Sequence, residues 1–256
     1  MNSLCVTGTG SKTDVRLAIA GATFKNRQVS TLILTRTSGG VLVNGMLLDQ
    51  QGALTSYANT LSRIRLVADA ANAGQVSATV NDVALAVDQA SPQIGGYQPI
   101  SSGALTMALS IGGTAVTTTP LAVDAGGDYT LLVAGTAAAP TIALLADDNT
   151  PSTSTSVPVK MRLVNGLNNL DTPASLTAGG SLVAAGVAFG SASGYDTLAA
   201  NSGTADILVN SAGATLFGLA DQALVSGGIY TVFLLGDSTL ADGANGSAMS
   251  LDRAGS

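Results

Sequence analysis

Apolar and polar residues alternate in short runs along this chain, and each run is closed off by Gly, Ser, Asn or Asp. Examples are Val15-Arg16-Leu17-Ala18-Ile19, Leu105-Thr106-Met107-Ala108-Leu109, Ala205-Asp206-Ile207-Leu208-Val209 and Tyr230-Thr231-Val232-Phe233-Leu234. A period of two with turn residues at both ends predicts half-buried strands joined by tight turns. Ala is plentiful, but Gly and β-branched residues interrupt it every few positions, so no 3.6-residue period is sustained. The chain has no Glu and only three Lys, Lys12, Lys25 and Lys160. The charged residues that coat surface helices are therefore nearly missing, and an all-β fold is expected.

The strand pattern repeats at long range. GGDYTLLVAG, Gly126 to Gly135, returns as GGIYTVFLLG, Gly227 to Gly236. Arg63-Ile64-Arg65-Leu66-Val67 reads against Lys160-Met161-Arg162-Leu163-Val164, and Gly96-Tyr97 against Gly194-Tyr195, so the offsets grow only from 97 through 98 to 101 residues. A fainter copy stands at the front, where Thr31-Leu32-Ile33-Leu34 takes the place of Thr130-Leu131-Leu132-Val133 and each run is followed 18 residues later by Asp, at Asp49 and Asp148. Self-similarity at such a period marks one structural unit copied along the chain. About seven strands fit each unit, the size and turn density of an immunoglobulin-like antiparallel β-sandwich.

Polar linkers separate the copies, Asp49 to Asn59 and Asn149 to Ser156. The organisation read from them is an incomplete first repeat over residues 1–59, holding only the back part of the unit, a second sandwich over 60–156 and a third over 157–256. The third ends with a Gly-rich insertion, Asp237 to Ser247, before a last strand around Ala248 to Asp252.

A unit that opens on a basic strand ending in LVNG (Leu163 to Gly166), continues through AFGSASGY (Ala188 to Tyr195) and closes with AGGDYTLLVAG or SGGIYTVFLLG resembles the family called domain of unknown function 4397. The resemblance covers residues 60 to 256 as two units and, more faintly, residues 1 to 59, where Ser30 replaces the motif Tyr and the basic strand is missing. It implies tandem extracytoplasmic β-sandwich domains of bacteria and archaea. The family carries no agreed catalytic residues, so none are transferred.

Tyr97, Tyr129, Tyr195 and Tyr230 all lie in the repeated motifs. They are expected to be core or corner residues, as in the tyrosine corner of immunoglobulin domains, in preference to a stacking platform for sugars. With no His and no Glu, Ser-His-Asp and Cys-His arrangements and the common zinc and di-iron ligand sets are excluded. Lys160 is not spaced to form a dyad with any particular Ser. GTGSKT, Gly8 to Thr13, imitates the end of a phosphate loop but precedes a strand where a helix belongs. Asp147-Asp148-Asn149 and Asp237 with Asp242 to Gly246 bring oxygen ligands together in loops, which turn chemistry explains as well as calcium does. No catalytic, cofactor or metal residue is assigned, and no enzyme is expected.

The net charge of −6 opposes binding to nucleic acid or anionic membranes. Cys5 cannot form an internal disulfide and is expected to be a small buried residue, the alternative being a thiol for pairing between chains. Met1 to Cys5 has no basic start and no apolar core, and no run reaches the length of a membrane span. Composition and resemblance nevertheless favour an extracellular or cell-surface protein, whose signal peptide lies outside this stretch. A sandwich without its opening strands exposes unpaired edges that proteins normally cover. The expected role is a surface or filament subunit that joins further copies head to tail by strand addition, the rival explanations being that residues 1–59 fold as a smaller sheet packed on the second unit or that upstream sequence lies outside this stretch. Two alternatives are a module that binds a glycan or protein through its loops and an Asp-based enzyme.

Overall fold

The computed structural model describes residues 2–50, 52–152, 154, 158–198 and 204–254, and consists of strands and turns with a single 3-10 turn at Ala71–Ala73. The first unit contains β1 (Asn2–Thr7), β2 (Val15–Ala22), β3 (Ser30–Arg36), β4 (Val43–Asp49) and β5 (Leu54–Tyr57). The second contains β6 (Leu61–Ala70), β7 (Gln75–Val80), β8 (Val83–Ala90), β9 (Gln93–Ile94), β10 (Gln98–Ser101), β11 (Gly103–Ala104), β12 (Met107–Ile111), β13 (Thr114–Val116), β14 (Ala122–Val123), β15 (Asp128–Gly135) and β16 (Pro140–Asp147). The third contains β17 (Val159–Asn165), β18 (Ala174–Ala178), β19 (Ser181–Val187), β20 (Ser191–Ala192), β21 (Asp196–Leu198), β22 (Thr204–Ser211), β23 (Ala214–Ala223), β24 (Ile229–Leu234) and β25 (Ala248–Arg253).

The second and third units are two-sheet sandwiches of the same topology. One sheet runs β10-β6-β15-β16 and faces β13-β12-β7-β8; the counterparts are β20-β17-β24-β25 and β19-β18-β22-β23. Pairing between these strands is antiparallel except for one central parallel pair in each unit, β6 with β15 and β17 with β24. That pair converts the sequence repeat into geometry, because Arg65 lies beside Thr130 and Arg162 beside Thr231.

Alternation assigns the two faces of these strands. Ile64, Leu66, Leu131 and Val133 point into the second sandwich with Val76, Ala78, Leu109 and Ile111. Met161, Leu163, Val232 and Leu234 do the same in the third with Leu176, Ile207 and Val209. The opposite phase is buried too: Val67, Leu132, Val164, Phe233 and Leu235 form a separate core where the two sandwiches pack on each other. Burial on both faces is why LLVA and VFLL read as continuous apolar runs.

The Gly-Gly-x-Tyr-Thr motif has a steric basis. Gly126 and Gly227 adopt φ of 77° and 69°, the left-handed region that favours glycine. A Cβ on Gly127 or Gly228 would sit 2.5 or 2.7 Å from the ring of Tyr129 or Tyr230. Each of those hydroxyls accepts a backbone N–H five residues upstream, from Asp124 at 2.9 Å and Val225 at 2.7 Å. Both tyrosines are therefore corner residues, as expected.

The first unit is smaller. Its β1–β2 pair covers the β3-β4-β5 sheet through Leu17, Ile19 and Ala22, with Leu4, Val6, Leu32, Val43 and Tyr57 packed against them. Three expectations need correction. The stretch from Asp49 to Asn59 is not wholly linker, since β5 pairs with β4 along Leu54–Tyr57. Cys5 is exposed, because its neighbours Leu4 and Val6 occupy the inward phase of β1. Asp49 does not occupy the place of Asp148: Leu32 pairs with Leu47 as Leu131 pairs with Leu144, which leaves Asp49 opposite Ser30. The loop joining β3 to β4 is longer than the one joining β15 to β16, and this offsets the register. In the second linker, residues 153 and 155–157 lie outside the described residues.

Tyr230→Phe should lower stability by about 1 kcal/mol through loss of the corner hydrogen bond. Gly228→Ala should cost more, about 2 kcal/mol, because the ring must move to admit the methyl group. Urea denaturation of the two variants checks the order.

Candidate functional site

The outward phase of the central strands carries charge where they meet. From the second unit come Arg63 and Arg65 on β6, Thr130 on β15 and Asp147 at the end of β16; from the third come Lys160 and Arg162 on β17, Thr231 on β24 and Asp252 on β25. Packing the sandwiches face to face crosses their ion pairs. Arg65 donates through Nε to Thr130 of its own unit at 2.8 Å and through its terminal nitrogens to Asp252 of the other at 2.5 and 3.1 Å. Arg162 donates to Thr231 of its own unit at 3.2 Å, to the carbonyl of Ala146 at 2.8 Å, and to the carboxylate of Asp147. Each threonine hydroxyl in turn donates to the carboxylate of its own unit, Thr130 to Asp147 at 2.7 Å and Thr231 to Asp252 at 2.5 Å. The side chains of both arginines and both aspartates are at most 2% exposed.

Aromatic rings complete the cluster. Tyr97 lies beneath Arg63 and Arg65 at 4.5 and 4.6 Å and donates its hydroxyl to Asp147 at 2.5 Å. Tyr195 lies beneath Lys160 and Arg162 at 5.2 and 4.7 Å. These two tyrosines are interface residues that also serve cation–π contacts. Burial alone would lower the Arg65 pKa, but attraction to Asp252 and Tyr97 and the hydrogen bond to Asp252 outweigh it and hold the guanidinium above its usual range. Burial pushes both tyrosine hydroxyls up, with Asp147 adding to the shift. Asp128 is also raised by burial, although Arg63 at 2.5 Å and Asn149 at 2.8 Å oppose that shift.

A second contact closes the far end of the seam. The Gly236 N–H donates to the Asp69 carboxylate at 3.0 Å, and Asn168 donates to the carbonyls of Asp69 and Gly236 while accepting the Gly135 N–H at 2.9 Å. Burial pushes Asp69 up to about 8 against the opposing Gly236 hydrogen bond, and the charge of Asp237 raises it further.

The residues weighed for chemistry in the sequence are engaged elsewhere. Lys160 Nζ binds the Asp148 carboxylate at 2.5 Å and the carbonyls of Asp148 and Thr150 at 3.1 Å. Gly8 to Thr13 forms the turn between β1 and β2, with the Gly8 N–H on the Asp14 carbonyl at 2.9 Å. Asp147 and Asp148 of the first acidic triplet each face a cation, and Asn149 donates to Asp128. Asp237 accepts from Asn169 and Thr239, while Asp242 lies exposed. The arrangement neutralises charge and orients two sheets. Sequence reasoning missed the crossed pairs; the available signal was an Arg recurring at the same position of two basic strands, Arg65 in LSRIRLVADA and Arg162 in VKMRLVN.

Fold and cluster together define a tandem β-sandwich protein whose two complete units are joined through a buried, crossed set of ion pairs. Residues 62–169 match the family model described as Domain of unknown function (DUF4397), so the resemblance read from the motifs holds over the second unit and the opening strand of the third. No curated protein matches the chain.

Arg162→Met leaves Asp147 in the seam with only the more distant Arg65 at 3.7 Å and should cost about 3 kcal/mol, whereas replacing Arg65, Arg162, Asp147 and Asp252 together by apolar residues of similar volume should cost far less. Chemical denaturation of both variants measures the difference. For Asp69, the folded state keeps its proton up to about pH 8 while the unfolded chain releases it near the ordinary carboxylate value, about 4. Stability is thus withdrawn as pH rises between those values. Thermal melts from pH 4 to 9 should show the parent losing Tm relative to Asp69→Asn across that window.

Proposed function

We propose that the protein is a non-catalytic structural piece of an extracellular or cell-surface assembly, with the second and third units as a fixed pair and the first unit as the joint to neighbouring chains. The observation that carries this reading is the open side of the first unit. Among the described residues β3 pairs only with β4 and β1 only with β2, whereas the corresponding strands of the complete units are paired on both edges. Unpaired edges invite strand addition, and a joint of this kind between unlike surfaces builds chains of subunits. The engagement of the buried charges in pairing, and a composition without His or Glu, support a building role over catalysis. Further copies of the same protein are the partners the repeat favours.

Native material released gently from the producing cell surface should contain the protein in elongated multi-copy particles by negative-stain microscopy. Compact monomers alone in that material would overturn the reading.

A further inference from the structure

Four of the seven arginines, Arg16, Arg36, Arg63 and Arg253, converge where the three units meet. The backbone brings them together. Arg36 ends β3 and pairs with Val43, and the Asn59 amide donates to the carbonyls of Val43 and Arg16 at 2.9 and 2.7 Å. The turn after Arg36 packs on the second unit, where the Gly39 N–H donates to the Gly126 carbonyl at 2.9 Å and the Arg63 N–H donates to the adjoining Gly127 carbonyl at 2.9 Å. Arg253, at the end of β25, reaches the same turn from the third unit. Its Nη1 donates to the carbonyls of Gly40 and Asn149, the latter at 3.0 Å.

Charge at this junction is only partly balanced. Arg16 pairs with Asp14 at 3.0 Å and Arg63 with Asp128 at 2.5 Å. Arg36 and Arg253 form no ion pair among the described residues, so four guanidinium groups meet two carboxylates and two positive charges are left over. That excess stands on a chain whose net charge is −6. Burial lowers the pKa of Arg253, and the charges of Arg16, Arg36 and Arg63 lower it further, with Asp128 opposing them. The repulsion behind that shift is what a bound anion relieves. Arg253 also specifies the kind of anion. Its two carbonyl contacts take both hydrogens of Nη1, while the Nε and Nη2 edge of the planar fork makes no hydrogen bond among the described residues. That edge matches two oxygens of one carboxylate, sulfate or phosphate group. The Gly40 and Asn149 carbonyls hold the fork in place before any ligand arrives, which reduces the ordering cost of binding. Arg36 is exposed, and its side chain is unengaged among the described residues.

We propose that Arg253 and Arg36 form an oxyanion-binding site at the junction of the three units, which takes a sulfate or phosphate ion or the carboxylate of an acidic sugar by bidentate contact with the Nε–Nη2 edge of Arg253. Arg16 and Arg63 add attraction at longer range without giving up their own carboxylates. An anion held between Arg36 and Arg253 bridges the first unit to the third. The site goes beyond the assembly reading above and does not depend on it, because every group it uses lies within one copy of the chain.

The test uses the 256-residue protein at low ionic strength, where screening is weak. Sodium sulfate, sodium phosphate and sodium glucuronate are titrated in turn, with sodium chloride holding the ionic strength constant, while the arginine Nε–H and backbone N–H signals are followed by nuclear magnetic resonance. The Nε–H signal that disappears in Arg253→Lys should shift saturably with at least one of the three oxyanions and stay in place with chloride alone. Backbone shifts at Gly40 give the affinity of each variant. Arg253→Lys keeps the charge but loses the fork and should weaken binding by about tenfold, and Arg36→Gln by about threefold. Tighter binding of glucuronate than of the inorganic ions supports an acidic sugar as the ligand, and the opposite order supports a free ion. Absence of a saturable shift with all three, an equal shift with chloride, or parent affinity in Arg36→Gln would overturn the proposal. That variant changes only an exposed side chain, so the comparison stands even where Arg253→Lys fails to fold. Whether native material contains multi-copy particles has no bearing on this outcome, so the two readings fail separately.

Discussion

Everything in the complete part of the molecule depends on the central strands being buried on both faces. One face of β6, β15, β17 and β24 fills a sandwich, and the other fills the seam between sandwiches. Such a strand has no solvent side on which to place a charge, yet Arg65 and Arg162 stand in the middle of two of them. Their presence is tolerated because each guanidinium meets a hydroxyl from its own unit and a carboxylate from the other. A buried pair of this kind adds little net stability compared with an apolar replacement, but loses much when a partner is misplaced. Its effect is to select one arrangement of the two units. Any shift along the seam would leave a buried charge without its carboxylate.

The same seam explains how a repeat becomes a single body. Each unit supplies an Arg, a Thr, an Asp and a Tyr, and exchanging the carboxylates across the contact pairs both arginines at once. The aromatic rings of Tyr97 and Tyr195 support the arginines from the same side in both units. At the far end the symmetry is relaxed, with the Asp69 carboxylate capping Gly236 and the Asn168 amide capping Gly135. Two different side chains thus perform one task, receiving a backbone N–H from the other unit.

Against this pattern, the first unit is smaller over the described residues. It keeps a small core around Leu17, Ile19 and Leu32 and adds β5 on the far side of β4. Its loop residues Val41 and Leu42 are buried, and the Arg253 guanidinium of the third unit reaches the Gly40 carbonyl in the same loop. The unit is therefore anchored to the body at one end.

Local pattern was enough to read the strands, the turn residues and the recurrence of the unit, because alternation and glycine stereochemistry act over a few residues. The corner role of Tyr129 and Tyr230 was legible for the same reason: the glycine that admits the ring and the backbone N–H that meets the hydroxyl both lie within five positions of it. The exposed Cys5 was misjudged because the phase of β1 depends on which face meets β2 and β4, and β5 was hidden in a polar stretch because its pairing partner, not its composition, makes it a strand. The crossed Arg and Asp contacts join residues as much as 187 positions apart and exist only once two sandwiches have met. The amino-acid sequence by itself determined an all-β fold built from a recurring unit. Tertiary structure alone decided that two copies share a charged seam, because a buried charge is placed by whatever packs against it and not by its neighbours in the chain.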